Sequence, residues 1–255
     1  MDKNSNVYVI KFAVILCVLA SAGLSFAYNA LRPLQIENEE FDQKRNVLSA
    51  LGLYDPADPT ATREKLEQMY AARITEQVVE GKGGTSPETA PETVTVLENA
   101  VPADLKKIRD ARELRRKRAL YLAKDEAGKP LGVALPIQCK GLWSTLYGYL
   151  ALGPDGNAVR GITFYKHGET PGLGGEVDNP DWKKQWTEGR KILGADGTLV
   201  GVQVKKGHVD PQNELERTHM VDGLSGATIT SKGVSTDLLK ELQWFRPYLR
   251  QFWGK

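Results

Sequence analysis

A run of small and hydroxyl-bearing residues lies just before the last predicted helix, between Asp222 and Ser231. Thr228 offers a hydroxyl, and its neighbours Gly226 and Ala227 have almost no side chain, so a bulky group can approach that hydroxyl closely. An anion attached there would face a helix N-terminus, whose exposed amides and positive dipole end favour phosphate. The stretch therefore predicts a phosphate-bearing attachment point, although a loop with an ordinary helix cap has the same composition.

Two upstream segments combine glycines with polar or aromatic side chains. His167–Glu176 reads H-G-E-T-P-G-L-G-G-E, in which Pro171 fixes one backbone angle and the glycines allow angles that other residues avoid. This pattern indicates a sharply folded loop whose backbone can pass close to a flat ring, and an ordinary turn between a strand and a helix is the alternative. Gly141–Leu150 mixes glycines, hydroxyls and aromatics such as Trp143, for which a core strand is the alternative.

The first stretch resembles the flavinylation motif D-x-x-S/T-G-A-T of bacterial respiratory proteins, in which a dedicated transferase esterifies the final Thr with the phosphate of FMN. With the other two segments and an apolar N-terminus, the chain resembles the C subunits of the sodium-translocating NADH:quinone oxidoreductases. These belong to an FMN-binding domain family shared with the G subunit of the Rnf electron-transport complex. The Rnf protein shares the motifs H-x-E-T-P-G-L-G and S-G-A-T but is usually shorter, because it lacks much of the segment between the anchor and the flavin domain. The longer middle of this chain, with Trp182 and Trp186, favours the quinone reductase family.

The resemblance implies a set of cofactor-binding residues. Thr228 is the implied attachment residue for covalent FMN, through a phosphoester, and Asp222 is implied to be recognised by the flavin transferase. The remaining implied FMN contacts are Trp143, Ser144, Leu146, Glu169, Thr170, Leu173, Gly174, Ser225, Gly226, Ala227 and Thr230. No catalytic side chain and no metal ligand is implied, because the flavin itself carries the redox chemistry.

The resemblance also implies partners and a cellular location. The A, B, D, E and F subunits of the complex are the implied partners, together with the flavin transferase and membrane lipid. Electrons would pass from an iron–sulfur source toward a second covalent FMN in the B subunit, and their flow to ubiquinone would drive sodium outward. This chain alone then holds no complete active site. Alternatives are an Rnf-type G subunit, another flavinylated electron-transfer domain, or a non-redox membrane-anchored binding protein.

Composition excludes several classes of protein. The chain has 255 residues, 41% apolar and 26% charged, with a net charge of +2 that gives no general case for nucleic acid. Cys17 lies in the apolar N-terminal run, which leaves Cys139 alone in the rest of the chain, so neither an intradomain disulfide nor a cysteine metal cluster is predicted. His167, His208 and His219 lack the paired spacing of metal ligands.

The N-terminus predicts a membrane anchor. Residues 7–30 are almost wholly apolar or small, and Lys11 can extend toward the lipid headgroups, so the stretch reaches the roughly 20 residues that a span needs. A cleaved signal peptide is the alternative, because Ser25-Phe26-Ala27 resembles a cleavage site. Lys3 and Lys11 flank this stretch on its N-terminal side, whereas a single Arg32 is soon followed by acidic residues on the other side, so we expect a cytoplasmic N-terminus and the large domain outside. The family resemblance implies the same orientation, with the soluble domain in the periplasm and the span in the inner membrane.

The rest of the chain predicts an α+β fold in which helices flank an antiparallel sheet. We expect a cytoplasmic stub and transmembrane helix over residues 1–32, a helical lead-in over 33–118 and the FMN-binding domain over 119–255. In the lead-in, helices are predicted at 38–51 and after Thr62, the latter with Leu66, Tyr70, Ile74 and Val78 at i,i+4 spacing. A surface loop is predicted near 81–91, and 103–118 forms a basic segment that is either a docking helix or a solvated face.

Turn residues between alternating apolar runs, such as Asp125 and Gly128, predict the strands of the last part. The predicted strands are 119–122, 131–137, 146–152, 159–165 and 199–205. A short helix is expected over 181–193, packed on the sheet. Thr230 or Ser231 is expected to cap the final helix, which carries Val234 and Leu238 on its apolar side.

Overall fold

The computed structural model describes residues 6–83, 90–98, 100–105 and 116–253. The helices are α1 (Asn6–Ala50), α2 (Arg63–Arg73), α3 (Pro102–Leu105), α4 (Pro180–Lys184), α5 (Glu214–His219) and α6 (Thr228–Leu249), with short 3-10 helices at Gly174–Asp178 and Gln185–Thr187. The strands are β1 (Ile74–Lys82), β2 (Thr93–Leu97), β3 (Lys117–Lys124), β4 (Pro130–Lys140), β5 (Thr145–Leu152), β6 (Val159–Lys166), β7 (Gln203–Val204) and β8 (Met220–Val221). The chain divides into two units, Met1–Gln43 and Lys44–Lys255.

The first unit is the N-terminal part of helix α1. Its large apolar side chains, such as Val7, Leu19 and Phe26, are exposed, as they must be on a helix that faces lipid. By its length and composition α1 is able to cross a membrane, and a signal sequence can have the same length and composition.

The second unit contains a six-stranded sheet in the order β2-β1-β3-β4-β5-β6, and every neighbouring pair is antiparallel. Tight turns connect β4 to β5 and β5 to β6. Another tight turn connects β3 to β4. There the Asp125 carboxylate accepts hydrogen bonds from the amides of Ala127 and Lys129, and Gly128 adopts φ +77°. The predicted α+β class with an antiparallel sheet is confirmed.

Both faces of the sheet are covered, because successive side chains of a strand point to opposite sides. On one face α6 packs on β4 so closely that a Cβ on Gly233 would collide with the Lys140 carbonyl. The core under α6 is formed by apolar side chains of β4, β5 and β6 with those of the helix, among them Ile137, Leu146, Leu150, Ile162, Phe164, Val234 and Leu238. On the other face lie residues 44–50 of α1, whose Asn46 carbonyl accepts a 3.2 Å hydrogen bond from Thr163 Oγ1.

The prediction that Ile74 and Val78 continue the second helix was wrong. Thr62 caps α2 as predicted, with its Oγ1 accepting from the Lys65 amide at 3.3 Å, but the helix ends at Arg73. Both residues lie in β1, on the same buried side. A spacing of four fits one face of a helix and one face of a strand alike, so the pattern did not distinguish them. Strands β1 and β2 thus bring part of the predicted helical lead-in into the sheet.

Other local predictions need similar corrections. The run 199–205 forms only β7, which pairs in parallel with β8, because Gly201 turns the chain at φ +77°. The helix expected over 181–193 is limited to α4 and a 3-10 turn, and Gly189 takes φ +78° soon afterwards. Residues 106–115 of the basic segment and 84–89 of the predicted loop lie outside the described residues, while Lys117 and Arg118 belong to β3.

Candidate cofactor-binding site

The N-terminus of α6 carries the predicted attachment residue. Thr228 is the first residue of this 22-residue helix and is exposed, and the cap position before it is Ala227, which has no side-chain acceptor. The prediction that Thr230 or Ser231 caps the helix was wrong, since both lie inside its first turn and are buried. The first amides of a helix have no partner within the helix, so this end is suited to bind an anion attached to Thr228.

The turn before Thr228 is fitted to the predicted ring-binding loop. Gly226 adopts φ +68°, and a Cβ on it would lie 2.6 Å from Leu173 Cδ2. Glycine therefore lets Leu173 lie against the turn. Ser225 is exposed beside it, while Ala227 is buried.

Glu169 joins three separate segments around this turn. Its Oε1 accepts hydrogen bonds from the amides of Trp143 at 2.9 Å and Ser144 at 3.1 Å, and its Oε2 accepts from the Leu142 amide at 3.1 Å. Thr230 Oγ1 donates a further hydrogen bond of 2.6 Å to Oε2. We call this set the Glu169 network. It ties the β4–β5 turn and the His167–Glu176 loop to the first turn of α6.

The Glu169 network is closely packed and keeps its carboxylate charged. A Cβ on Gly174 would lie 2.5 Å from Glu169 Oε2, and one on Gly141 would collide with Oε1. Burial acts to raise the pKa of the Glu169 carboxyl, but the hydrogen bonds from Thr230 and the three amides outweigh it, so the pKa lies below its usual value. Both carboxylate oxygens of Glu169 thus accept hydrogen bonds from the protein, and the side chain holds the β4–β5 turn and the start of α6 in place.

Large apolar side chains remain exposed around the Glu169 network. Trp143 is 72% exposed on the turn that Glu169 holds, and Leu173 is 44% exposed where it meets Gly226. Leu142 and Ile229, next to Trp143 and Thr228 in the chain, are exposed as well. Exposed aromatic and aliphatic groups close to a fixed turn form a surface suited to a flat, largely apolar ring.

The other predicted contacts have different surroundings. Ser144 Oγ accepts a 2.7 Å hydrogen bond from the Gly168 amide. The exposed Thr170 contributes its carbonyl, which accepts from the amides of Leu173 and Gly175 and so closes the loop. Leu146 is completely buried in the core under α6, where it supports the turn from beneath.

On the other side of Thr228 lies a cavity of about 630 Å³ that the sequence did not predict. We call it the cationic cavity. It is lined by Gln203, Val204, Lys205, Lys206, Gly207, His208, Gly223, Leu224, Ser225, Gly226, Thr228, Ser231, Lys232, Ser235 and Thr236. None of these fifteen described residues is acidic. The volume falls within the range of small-molecule sites, roughly 300–1,000 Å³.

Two carboxylates behind the lining fix the wall of the cationic cavity. Asp222 accepts a 2.7 Å hydrogen bond from the Val209 amide and lies 2.9 Å from His208 Nδ1. Burial raises the pKa of the Asp222 carboxyl, but the hydrogen bonds from His208 and Val209 outweigh it and leave the pKa below its usual value. Glu216 pairs with Lys205 Nζ and accepts from the Asp210 amide at 2.9 Å.

Comparison with known proteins relates this site to flavin. Residues 141–240 match the FMN-binding domain family, a range that contains the Glu169 network and Thr228. The chain is 40% identical to the C subunit of the Na(+)-translocating NADH-quinone reductase of Pseudomonas aeruginosa, covering 91% of this chain and 90% of that protein. It is 36% identical to the corresponding protein of Yersinia pestis, over 93% and 90%.

Solved structures give the same result for the fold. The crystal structure of the Na(+)-translocating NADH-quinone reductase C subunit from Parabacteroides distasonis superposes with a TM-score of 0.65 at 27% identity, covering 86% of this chain and 96% of that one. The structure of Shewanella oneidensis NqrC, at 24% identity, shows the likeness of fold with a TM-score of 0.66 over 86% and 100%.

The site fits a flavin nucleotide by its own chemistry. The exposed apolar side chains offer a stacking surface for a flat ring, and the neighbouring cavity is lined by hydroxyls and lysines that suit a phosphate.

Proposed function

This chain belongs to the family of C subunits of the Na(+)-translocating NADH-quinone reductases, and we propose that it is the membrane-anchored flavoprotein that relays electrons within such a complex. When bound, FMN supplies reversible electron transfer, which no side chain of the protein provides. The protein residues hold the cofactor, orient it and set its electrostatic surroundings. The combination of an FMN-binding domain with an apolar N-terminal helix supports this function.

The attachment residue in this proposal is Thr228. The supporting observation is that Thr228 is exposed at the start of α6 and follows Gly226 and Ala227, which have almost no side chain. A phosphoester there lies beside the helix N-terminus, where amides and the helix dipole stabilise negative charge. The flavin transferase uses a donor in which FMN is joined to a second nucleotide by a pyrophosphate. Thr228 Oγ bonds to the FMN phosphorus as the pyrophosphate P–O bond to that phosphorus breaks, so the second nucleotide leaves as its monophosphate and the Thr228 proton passes to solvent.

Co-expression of the full chain with a flavin transferase tests the attachment. After denaturing electrophoresis we expect a fluorescent band for the natural sequence and none for Thr228→Ala. Thr198→Ala is the control, because Thr198 is an exposed threonine that does not line the cavity, and it should give the same fluorescent band as the natural sequence. A fluorescent Thr228→Ala band, or flavin on another peptide by mass spectrometry, would refute the attachment site.

In the same proposal the flavin ring lies against the exposed surface formed by Trp143 and Leu173. Ser225, Gly226 and Ala227 bear the phosphate and ribityl chain. Glu169 and Thr230 act from below by holding the turns in place, together with Ser144, Leu146, Thr170 and Gly174. The exposure of Trp143 and Leu173, contrasted with the burial of Glu169 and Thr230, supports this division of roles.

We assign Asp222 to recognition by the transferase, as the motif implies. The Asp222 carboxylate is held by Val209 and His208. Two variants therefore show whether the transferase needs this carboxylate itself or only the cavity wall that it supports. His208→Gln should leave flavinylation intact, whereas Asp222→Asn should abolish the fluorescent band. Equal loss in both variants would assign Asp222 to the wall alone.

The proposed setting is the inner membrane of a bacterium, with the Lys44–Lys255 unit in the periplasm and the A, B, D, E and F subunits as partners. The lysines before the span and the acidic residues after it support this orientation. Protease added to spheroplasts should digest the large unit, while protection of that unit until lysis would reverse the orientation.

A further inference from the structure

The face of α6 that borders the cationic cavity is polar throughout. The helix residues that line the cavity are Thr228, Ser231, Lys232, Ser235 and Thr236. Their spacing of i, i+3, i+4, i+7 and i+8 puts them in one stripe along the helix. A stripe turned toward a neighbouring wall is ordinarily apolar, so this one indicates a groove that holds water or a polar ligand.

The opposite wall of the cationic cavity is fixed to this stripe. Ser235 Oγ accepts a 2.8 Å hydrogen bond from the Val204 amide and donates one of 2.9 Å to the Ser231 carbonyl. Ser231 Oγ accepts from the Leu224 amide at 3.4 Å. The wall that carries Lys206 is therefore held at a constant place relative to Thr228.

Two of the four basic residues in the cavity are already paired. Lys205 is paired with Glu216, and His208 with Asp222. Within the described part of the chain, the structure shows no ion pair for Lys206 or Lys232, and both are exposed. Lys232 follows Thr228 by four residues, which puts their Cβ atoms roughly 5–6 Å apart on the same side of the helix.

We propose that Lys206 and Lys232 are the cations that hold the phosphate of the flavin nucleotide beside Thr228. This inference rests on the proposed function and specifies how its site recognises the anionic part of the cofactor. A phosphodiester keeps one negative charge, and each ammonium group offers three N–H donors to its oxygens. The polar stripe of α6 and the absence of acidic residues among the described lining leave the cavity complementary to that charge.

The test compares FMN with riboflavin, which lacks the phosphate. The full chain is purified in detergent from a host without flavin transferase, so that Thr228 stays unmodified, and flavin binding is followed by fluorescence at low salt. We expect FMN to bind about tenfold more tightly than riboflavin, and each of Lys206→Gln and Lys232→Gln to reduce that preference about threefold, as for exposed ion pairs. The double variant should bind both flavins equally.

Controls separate charge from structure. The double variant Lys206→Arg with Lys232→Arg should keep the preference, and Lys184→Gln, at a lysine that does not line the cavity, should leave it unchanged. Riboflavin affinity should be the same in all variants. An unchanged FMN preference in the double Gln variant would overturn the inference, as would equal affinities or no measurable binding of either flavin in the natural sequence. Because this assay needs no covalent bond, its result is independent of the Thr228→Ala experiment.

Discussion

The two sides of the turn before Thr228 are built differently. On one side the Glu169 carboxylate is buried and accepts four hydrogen bonds from two other segments of the chain, the β4–β5 turn and α6. On the other side the cationic cavity is open and lined by hydroxyls and exposed lysines. One wall beside Thr228 is thus fixed by a buried, hydrogen-bonded carboxylate, and the other is open and carries exposed lysines.

The buried side fixes the structure of the turn, whereas the exposed side supplies charge for ligand binding. A buried carboxylate must have its partners, because an unpaired charge or amide in the interior costs several kcal/mol. It therefore specifies one arrangement of the turns around it. An exposed lysine keeps much of its hydration whether or not it has a partner, so it adds charge to a site and contributes little to the stability of the fold.

The largest effect is expected from a change in the Glu169 network. Glu169→Gln replaces one acceptor oxygen by an NH2 group that faces amide donors, which leaves buried donors without partners. We expect the free energy of unfolding to fall by about 3 kcal/mol, and the melting temperature of the full chain in detergent by roughly 6–12 °C. Glu126→Gln, at a side chain that is 93% exposed, is the control and should melt like the natural sequence. A loss below about 1 kcal/mol would show that the network is not rigidly specified.

A smaller effect is expected at Thr230, which supplies one donor of the network. Thr230→Val keeps the shape but removes the 2.6 Å hydrogen bond to Glu169. The cost should be about 1.5–2 kcal/mol, as for a hydrogen bond to a charged group. Thr230→Ser retains the hydroxyl and should recover most of the lost stability in the same melting experiment. If Val and Ser melt alike, the hydroxyl does not contribute.

The pH dependence of stability should also follow the Glu169 network. The folded pKa of Glu169 lies below the ordinary value of 4.5, so the unfolded chain binds the proton more tightly. Its contribution is present above about pH 4.5 and is lost as the pH falls through the folded pKa. As the pH falls below about 4.5, the melting temperature should fall more steeply for the natural sequence than for Glu169→Gln. Parallel pH profiles would contradict a lowered pKa of Glu169 in the folded state.

The smallest effect on stability is expected in the cationic cavity. Lys206→Gln and Lys232→Gln should each change the free energy of unfolding by no more than about 0.5 kcal/mol, since both side chains are exposed. The same melting experiment measures this. A loss comparable to that of Thr230→Val would mean that both sides of the turn stabilise the fold, and the contrast between them would disappear.

Several parts of this protein follow from local sequence. The apolar run near the N-terminus, the turn at Asp125–Gly128 and the cap at Thr62 were all predicted, because each depends on residues close together in the chain. Ile74 and Val78 were placed on the wrong element, because their spacing fits a helix and a strand alike. Only pairing with β3 decides between the two.

The site shows the same division. The sequence by itself determined which hydroxyl is flanked by small residues, and its resemblance to the FMN-binding family implied Glu169 and Thr230 as cofactor contacts. Only the tertiary structure decided that these two, 61 residues apart, share a hydrogen bond, and that Lys206 and Lys232 border one cavity. The physical reason is that turns and helix caps are set by neighbours in the chain. Contacts across the molecule depend instead on which surfaces the packing of α6 against the sheet leaves buried or open.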